Sequence, residues 1–460
     1  MNEKLKDFLS NLPSVPSPEF KTSLIQKLEW SAIALSIFFI LSYIPLIGVS
    51  PTYSFGFEVL QTLIAAHFGS VLSLGIGPIV TAAIFMELLQ GSEIIHFDLS
   101  QHEGRVLFQG TQKLLAFIFI LVENFVYVFS GAITPAYPSI LLQLLMWVQL
   151  VIGGIILLFL DELVSKWGVG SGISLFILGS LSLELINTMF NPIFSPPGAI
   201  PSIIYSAISG LIQQAIFPII EIVTTIGIFI FAIWLQQVRV ELPLSFGRFR
   251  GFSIKWPISL MYNSVIPLIM IVSILAGLQF FGLTLYKSGN PILGKFQLEQ
   301  TVLGPQYVPV SGFLALLNPP SIIQMLTTPF NPTYIYSIVF YFLILIIGTA
   351  VFSYVWLFIG GQDPNSIADQ LLSTGLMMPG FRPDKRILAS TLSKYLIPLS
   401  VLGGAITGFI AAIATLFNSL IPGIGIILIV MVSYQFYYYL QNENPTELQP
   451  IKEKIRSFSI

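Results

Sequence analysis

The chain contains no cysteine, which excludes disulfide cross-links, thiolate metal sites and cysteine nucleophiles. Histidine is nearly as scarce, with only His67, His96 and His102. Charge is the third shortage: Asp, Glu, Lys and Arg together make up 9% of the 460 residues, against about 25% in soluble domains. With 55% hydrophobic residues, the chain has too little polar surface to cover a soluble globule, so it reads as a polytopic membrane protein. Its 38 Phe and 17 Tyr suit a lipid-facing surface with aromatic residues at the interfaces. The net charge of −2 carries no signature of nucleic-acid binding. The N-terminal stretch MNEKLKDFLSNLPSVPSPEF lacks an apolar core and a cleavage site, so it is not read as a signal peptide.

What is present is a series of apolar runs. Residues 1–29 form a short amphipathic segment, with Leu5, Phe8, Leu9 and Leu12 among Lys4, Lys6 and Asp7, and are expected to lie on the membrane surface. Beyond it, runs long enough to span cover Trp30–Ile47, Ser73–Leu89, Leu114–Ile133, Ile140–Leu160, Ile173–Met189, Ile216–Leu235, Pro257–Phe281, Tyr334–Phe358, Leu396–Leu416 and Ile424–Leu440. Ten spans put both termini on one side. Of the 20 Lys and Arg residues, all but Lys287 and Lys295 then fall on that side, and the positive-inside rule makes it cytoplasmic. The opposite face holds the loops 190–215 and 284–332. Two basic hairpins, 239–257 and 360–386, are longer than a tight connection requires, which suggests a docking surface for an anionic partner.

The second span is cut in two. Its first piece, Phe57–Phe68, sets Phe57, Leu60, Ile64 and Phe68 near one helical face, yet carries Glu58, Gln61, Thr62 and His67 and is too short to cross ~30 Å of hydrocarbon. It must lie in a protein-lined cavity or at an interface. The second piece restarts through Gly69, Gly75, Gly77 and Pro78. Interrupted helices of this kind usually line a pathway.

Ionisable residues inside spans are costly and functional by default, and three are present: Glu123, Glu184 and Glu221. Glu123 beside a broken helix keeps an ion-coupled secondary transporter as an alternative reading. A membrane insertase without a full pore is a third. Intramembrane hydrolysis fails on inventory: there is no HExxH motif, no aspartate within a span, and no histidine on a spanning helix to activate Ser171. An enzyme is therefore not expected. The distinctive feature is apolar instead. Ile76 and Val80 lie four apart at the glycine restart, and Val169 and Ile173 lie four apart across the glycine-rich GVGSG start of the fifth span. Branched aliphatics at a narrow waist offer water and ions no hydrogen bonds and close a pore by dewetting.

Several longer motifs carry a resemblance: SLGIGPIVTA (73–82), DLSQHEGRVLFQGTQK (98–113), LDELVSKWGVGSGISLFI (160–177), RVELPLSFGRFRG (239–251) and PGFRP (379–383). In order and over nearly the whole chain, they resemble the SecY/Sec translocon alpha-subunit family, with the QDP hairpin and the long outer loop closer to its archaeal members. The resemblance implies an all-α polytopic protein of ten transmembrane helices in two pseudo-symmetric halves of five, residues 1–205 and 206–460, with a short re-entrant plug helix. It implies a passive protein-conducting channel in an archaeal plasma membrane, without cofactors, that opens across the membrane or sideways into lipid. The constriction ring would be Ile76, Val80, Val169, Ile173, Ile266 and Leu428. The plug would be the helix Glu58–Phe68, including Leu60, Gln61, Ile64 and His67.

The lateral gate implied by the resemblance lies between spans two and three and spans seven and eight, with Thr81, Glu123 and Asn263 as candidates for its polar cluster. This chain departs from the pattern at Asn263–Pro267, where Val265 stands at the usual asparagine position and Asn263 lies two residues away on another face. Ribosome docking would fall to Arg248, Arg250, Arg382, Lys385 and Arg386. The implied partners are a SecE/gamma subunit, a beta subunit, the ribosome, signal sequences with their nascent polypeptides, and membrane lipid.

Overall fold

Ser23 and Gln26 open the first helix, α1 (Leu24–Tyr43), with a reciprocal capping box: each side chain accepts from the other residue's amide, at 3.3 and 3.1 Å. The cap starts α1 ahead of the apolar run at Trp30, and extended backbone at Ile44, before Pro45, ends it. The computed structural model describes residues 12–20, 22–50, 65, 69–91, 94, 95, 97, 102–130, 133–191, 197–210, 212–246, 253–261, 266–301, 304–327, 332–377 and 384–443. Further helices are α2 (Gly77–Gly91), α3 (His102–Phe129), α4 (Ile140–Trp167), α5 (Gly172–Phe190), α6 (Ala199–Ile208) and α7 (Ile212–Gln237). They are followed by α8 (Ile266–Lys287), α9 (Phe313–Leu316), α10 (Ile322–Thr327), α11 (Thr333–Ile359), α12 (Pro364–Ser373), α13 (Lys385–Leu416) and α14 (Gly423–Glu443).

Among the described residues, nine helices are long and apolar enough to span: α1, α3, α4, α5, α7, α8, α11, α13 and α14. The expected second span differs. Instead of a helix from Ser73, residues 71–76 are a run of turns, and α2 has 15 residues, about 22 Å at 1.5 Å per residue. Gly75 takes a φ of 50°, outside the right-handed helical region, so helix cannot run back through it. The turn survives in an apolar setting because its backbone is satisfied. Gly75, Gly77 and Ile79 each bond the carbonyl three residues back, and Leu46 N–H to Gly69 O (2.8 Å) and Val71 N–H to Ile44 O (3.0 Å) tie it to the end of α1.

Helices α1 and α5 pack on each other and on α4, α3 packs on both α2 and α4, and α7, α8, α11, α13 and α14 pack in a second group. Close approach is set by small residues. Gly404 and Gly408 of α13 lie directly on Ser353, Thr349 and the Leu345 carbonyl of α11, where an added Cβ would overlap. Between the two groups, α5 lies on α14 and α2 lies on α11. One apolar core runs through both, including Phe38, Ile120, Leu157 and Phe176 from the first group and Leu345, Ile410 and Ile427 from the second.

Two β hairpins stand outside the helices, mostly in stretches that span counting leaves as loops; the first also takes residues 257–259 from the expected span Pro257–Phe281, whose helix is instead α8, Ile266–Lys287. Strands β1 (Arg239–Phe246) and β2 (Ser253–Ser259) pair antiparallel, and β5 (Leu376–Met377) adds to the free edge of β1. Val240, Leu242 and Leu244 alternate inward with period two. Leu242, Leu244 and Ile258 form a separate small core with Ala368 and Leu371 of α12 and Leu388 and Leu392 of α13. Strands β3 (Lys295–Thr301) and β4 (Gly304–Ser311) form the second hairpin, within the 284–332 loop.

The described part of the N-terminal segment is held down by its backbone. Lys113 of α3, Lys166 of α4 and Trp167 donate to the carbonyls of Pro13, Val15 and Pro16. Glu162 bridges the two lysines at 2.6 and 2.8 Å. Of the expected amphipathic pattern, Leu5, Phe8 and Leu9 lie outside the described residues, and Leu12 packs against the small core of Met86, Phe97 and Leu107.

Candidate functional site

The glycine restart delivers Ile76 as a fully buried side chain, 0% exposed, whose carbonyl accepts from the amides of Ile79 and Val80 and so starts α2. Ile76 and Leu428 of α14, 4% exposed, belong to the same apolar core, and Val80 and Ile173 pack against it. Four of the six expected ring residues therefore belong to, or pack against, one apolar core fed from both helix groups. Val169 is buried at 4% in the turn just ahead of α5. Ile266, half-buried, is the first residue of α8. Neither of these two is a member of that cluster.

The expected plug falls almost wholly outside the described residues: Glu58, Leu60, Gln61, Ile64, His67 and Phe68 are not among them. Ala65 is described, and its φ of 49° is left-handed, a conformation outside the right-handed helical region. Ala65 is also 0% exposed and sits in the same apolar core as Ile76.

The turn that carries Val169 is suspended by two side chains that span-level reading misses. Ser31 of α1, buried, accepts the Val169 amide at 2.9 Å. Asp161, near the end of α4, accepts the Ile173 amide at 2.8 Å and also bonds the Gly172 amide. Ser171 stands at the N-cap of α5 but makes no side-chain cap bond. Its place is taken by a carboxylate from another helix, at the end of α5 where the dipole favours negative charge. Gly170, at φ 69°, lies under the Phe436 ring of α14.

Of the gate candidates, Thr81 and Glu123 do meet. The Thr81 hydroxyl lies 3.0 Å from the Gly77 carbonyl and within hydrogen-bonding reach of the Glu123 side chain across the α2–α3 contact. Asn263 lies outside the described residues. Next to Glu123, the buried Asn124 donates to Ile120 O at 2.7 Å, and its Oδ1 finds no partner among the described residues. Glu221 accepts from Asn418 at 2.5 Å, at the turn between α13 and α14. Glu123 and Glu221 thus serve different contacts rather than one shared ion site. At one end of the α2–α11 seam, Gly91 touches the Ile359 carbonyl so closely that any Cβ would overlap it. Gly91→Val is expected to wedge this seam and destabilise the packing by about 1–3 kcal/mol, the usual cost of overpacking. The unfolding temperature of the purified protein should fall accordingly, and an unchanged value would contradict the tight seam.

Among the docking candidates, Arg248, Arg250 and Arg382 lie outside the described residues. Arg248 and Arg250 belong to the connection between β1 and β2. Lys385 pairs with Asp369 at 2.6 Å with both side chains about half exposed, an arrangement worth little energetically. The Arg386 amide donates to Asp384 Oδ1 at 2.9 Å, at the start of α13.

The helices and their apolar faces define a multi-pass, mostly helical membrane protein whose candidate spans are α-helices. The chain belongs to the SecY family, whose model matches residues 70–437. The protein translocase subunit SecY of Methanothermobacter thermautotrophicus is 35% identical over 468 residues, covering 100% of this chain and 99% of the relative. That of Methanocaldococcus jannaschii is 37% identical, covering 98% and 99%. Among solved structures, one described as a protein conducting channel aligns with a TM-score of 0.75 at 35% identity, covering 96% of this chain and 98% of the other. Sec61 in the canine ribosome-channel complex aligns at 0.72 and 34%, with the same coverage.

Proposed function

We propose that this chain is the pore-forming subunit of a protein-conducting channel. It passes unfolded secretory polypeptides across the membrane and releases transmembrane segments sideways into lipid. The observation that carries this reading is that Ile76, Val80, Ile173 and Leu428, from both helix groups, belong to or pack against one apolar core in which Ala65 of the 58–68 stretch is also buried. Such a cluster excludes water and ions at rest and still yields to a chain forced through it. Val169 and Ile266 complete the ring, residues 58–68 are its plug, and residues 1–205 and 206–460 are the two halves that move apart. The gate opens between α2–α3 and α8–α11, with Thr81 and Glu123 in its polar contact. The basic face is cytoplasmic, and its hairpins meet the ribosome through Arg248, Arg250, Arg382, Lys385 and Arg386, whose guanidinium and ammonium groups suit RNA phosphate. A SecE/gamma subunit and a beta subunit complete the complex, and the docked partner supplies the driving force. The chain is not an enzyme.

Vesicles carrying the complex, supplied with ribosomes translating a soluble secretory polypeptide, should accumulate it in a protease-protected lumen. Insertion of membrane proteins without any protected soluble product would overturn the channel reading in favour of an insertase.

A further inference from the structure

We propose that Asp161 and Ser31 are positioning residues for the constriction, suspending the turn that bears Val169 and Ile173 at its two ends and so setting the α5 side of the seal. This rests on the channel reading above. The turn's own backbone bonds, Gly168 N–H to Val164 O at 2.8 Å and Leu175 N–H to Ser171 O at 3.1 Å, only continue the flanking helices. Gly168, Gly170 and Gly172 supply no side chains, Ser171 makes no capping bond, and Gly170 sits in the left-handed region at φ 69°. The side-chain holds on its amides come from Ser31 and Asp161, on other helices.

Ser31 grips the leading end, through the Val169 amide at 2.9 Å. Asp161 grips the trailing end, through the Ile173 and Gly172 amides. The glycines permit this closeness: a Cβ at Gly168 would press on Ser31 Oγ, and one at Gly172 on Asp161. Neighbouring Glu162 is occupied with Lys113 and Lys166, so the adjacent acid offers no substitute. Val169 N–H is buried where water does not replace a lost partner, and freeing it costs the turn its one defined placement. Phe436 adds an apolar stop over Gly170. Because Phe436 and Leu428 share α14, the same helix braces the turn and contributes its own ring residue.

The test is ion leak through planar bilayers containing the complete complex at rest, with polar replacement of the six ring residues as the reference. Asp161→Ala should raise leak between about threefold and tenfold, the population shift that losing a helix cap implies. Asp161→Asn, which keeps an acceptor oxygen, should stay near the parent level, and Ser31→Ala should leak less than Asp161→Ala. Because the chain has no cysteine, Ile173→Cys provides a unique thiol, and its labelling by a membrane-impermeant reagent should rise with Asp161→Ala and not with Asp161→Asn. A leaking ring variant beside an assembled but sealed Asp161→Ala overturns the positioning role and leaves the channel reading standing. A sealed ring variant defeats the channel reading itself. Equal leak from Asp161→Asn and Asp161→Ala overturns the hydrogen-bond account. Should Asp161→Ala not assemble, Ser31→Ala decides: leak supports the assignment and a tight seal overturns it.

Discussion

Replacing Ile76, Val80, Val169, Ile173, Ile266 and Leu428 together by asparagine is expected to turn the resting complex into a standing leak for small ions. Ile76, Val169 and Leu428 are at most 4% exposed, so their surroundings are dry. A dry aliphatic waist resists water because no side chain repays the hydrogen bonds that water gives up on entry. An amide buried without a partner costs roughly 1–3 kcal/mol in proteins, and six amides on the proposed ring would relieve that cost by admitting water. The wetted waist then conducts. Bilayer recordings of the complex, without ribosome or substrate, measure it directly. Single replacements should leak less than the full set, because the remaining aliphatics still interrupt a water column. Replacement by other branched aliphatics should keep the seal. A sealed six-asparagine variant, correctly assembled, would remove the cluster from any role in closing the channel.

The largest stability loss is expected at the α11–α13 contact. Gly404 meets Ser353 Oγ and the Thr349 carbonyl, and Gly408 meets Thr349 Oγ1 and the Leu345 carbonyl, all closer to a notional Cβ than real contacts allow. Lipid tails are as apolar as the helices, so helix association depends on close packing rather than on hydrophobic burial. Leucine at either glycine forces the helices apart, at about 1–3 kcal/mol for overpacking of a tight contact. The unfolding temperature of the detergent-purified complex should fall for Gly404→Leu and Gly408→Leu, with alanine at the same sites giving a smaller drop. Gly227 of α7 and Gly277 of α8 are the contrast. Nothing lies within 4 Å of a Cβ at either, so alanine there should be neutral or stabilise by up to about 1 kcal/mol through helix propensity. A uniform response at all four glycines would show that close packing is not the determinant.

Composition and pattern made the membrane class, the positions of the long spans and the aliphatic pairs legible, because each is a local property of the chain. The 3.6-residue repeat alone puts Ile76 in step with Val80, and a run of apolar residues needs no partner to prefer lipid. Family motifs extended this to expectations for the ring and the gate. The β1–β2 hairpin left a readable signal in the alternation of Val240, Leu242 and Leu244, which span counting passed over as a connection. The two cores that bury those strands and join the helix groups bring together residues too distant in sequence for any local pattern to pair.

The broken second span shows where local reading stops. The sequence alone determined that residues 54–89 could not be one continuous crossing, since a polar-flecked half-helix and a glycine-rich restart carry that information within themselves. Only the tertiary structure decided how the break is tolerated. Backbone bonds from 69–71 to the end of α1 satisfy the turn, and Ala65 takes a left-handed conformation that its residue type does not favour. The cap on α5 is likewise tertiary. Local rules nominate Ser171, and the bond is made by Asp161, carried back to the same turn by the end of α4. A residue's chemistry is written in the sequence; which backbone amide it meets depends on how the packed helices bring distant turns together.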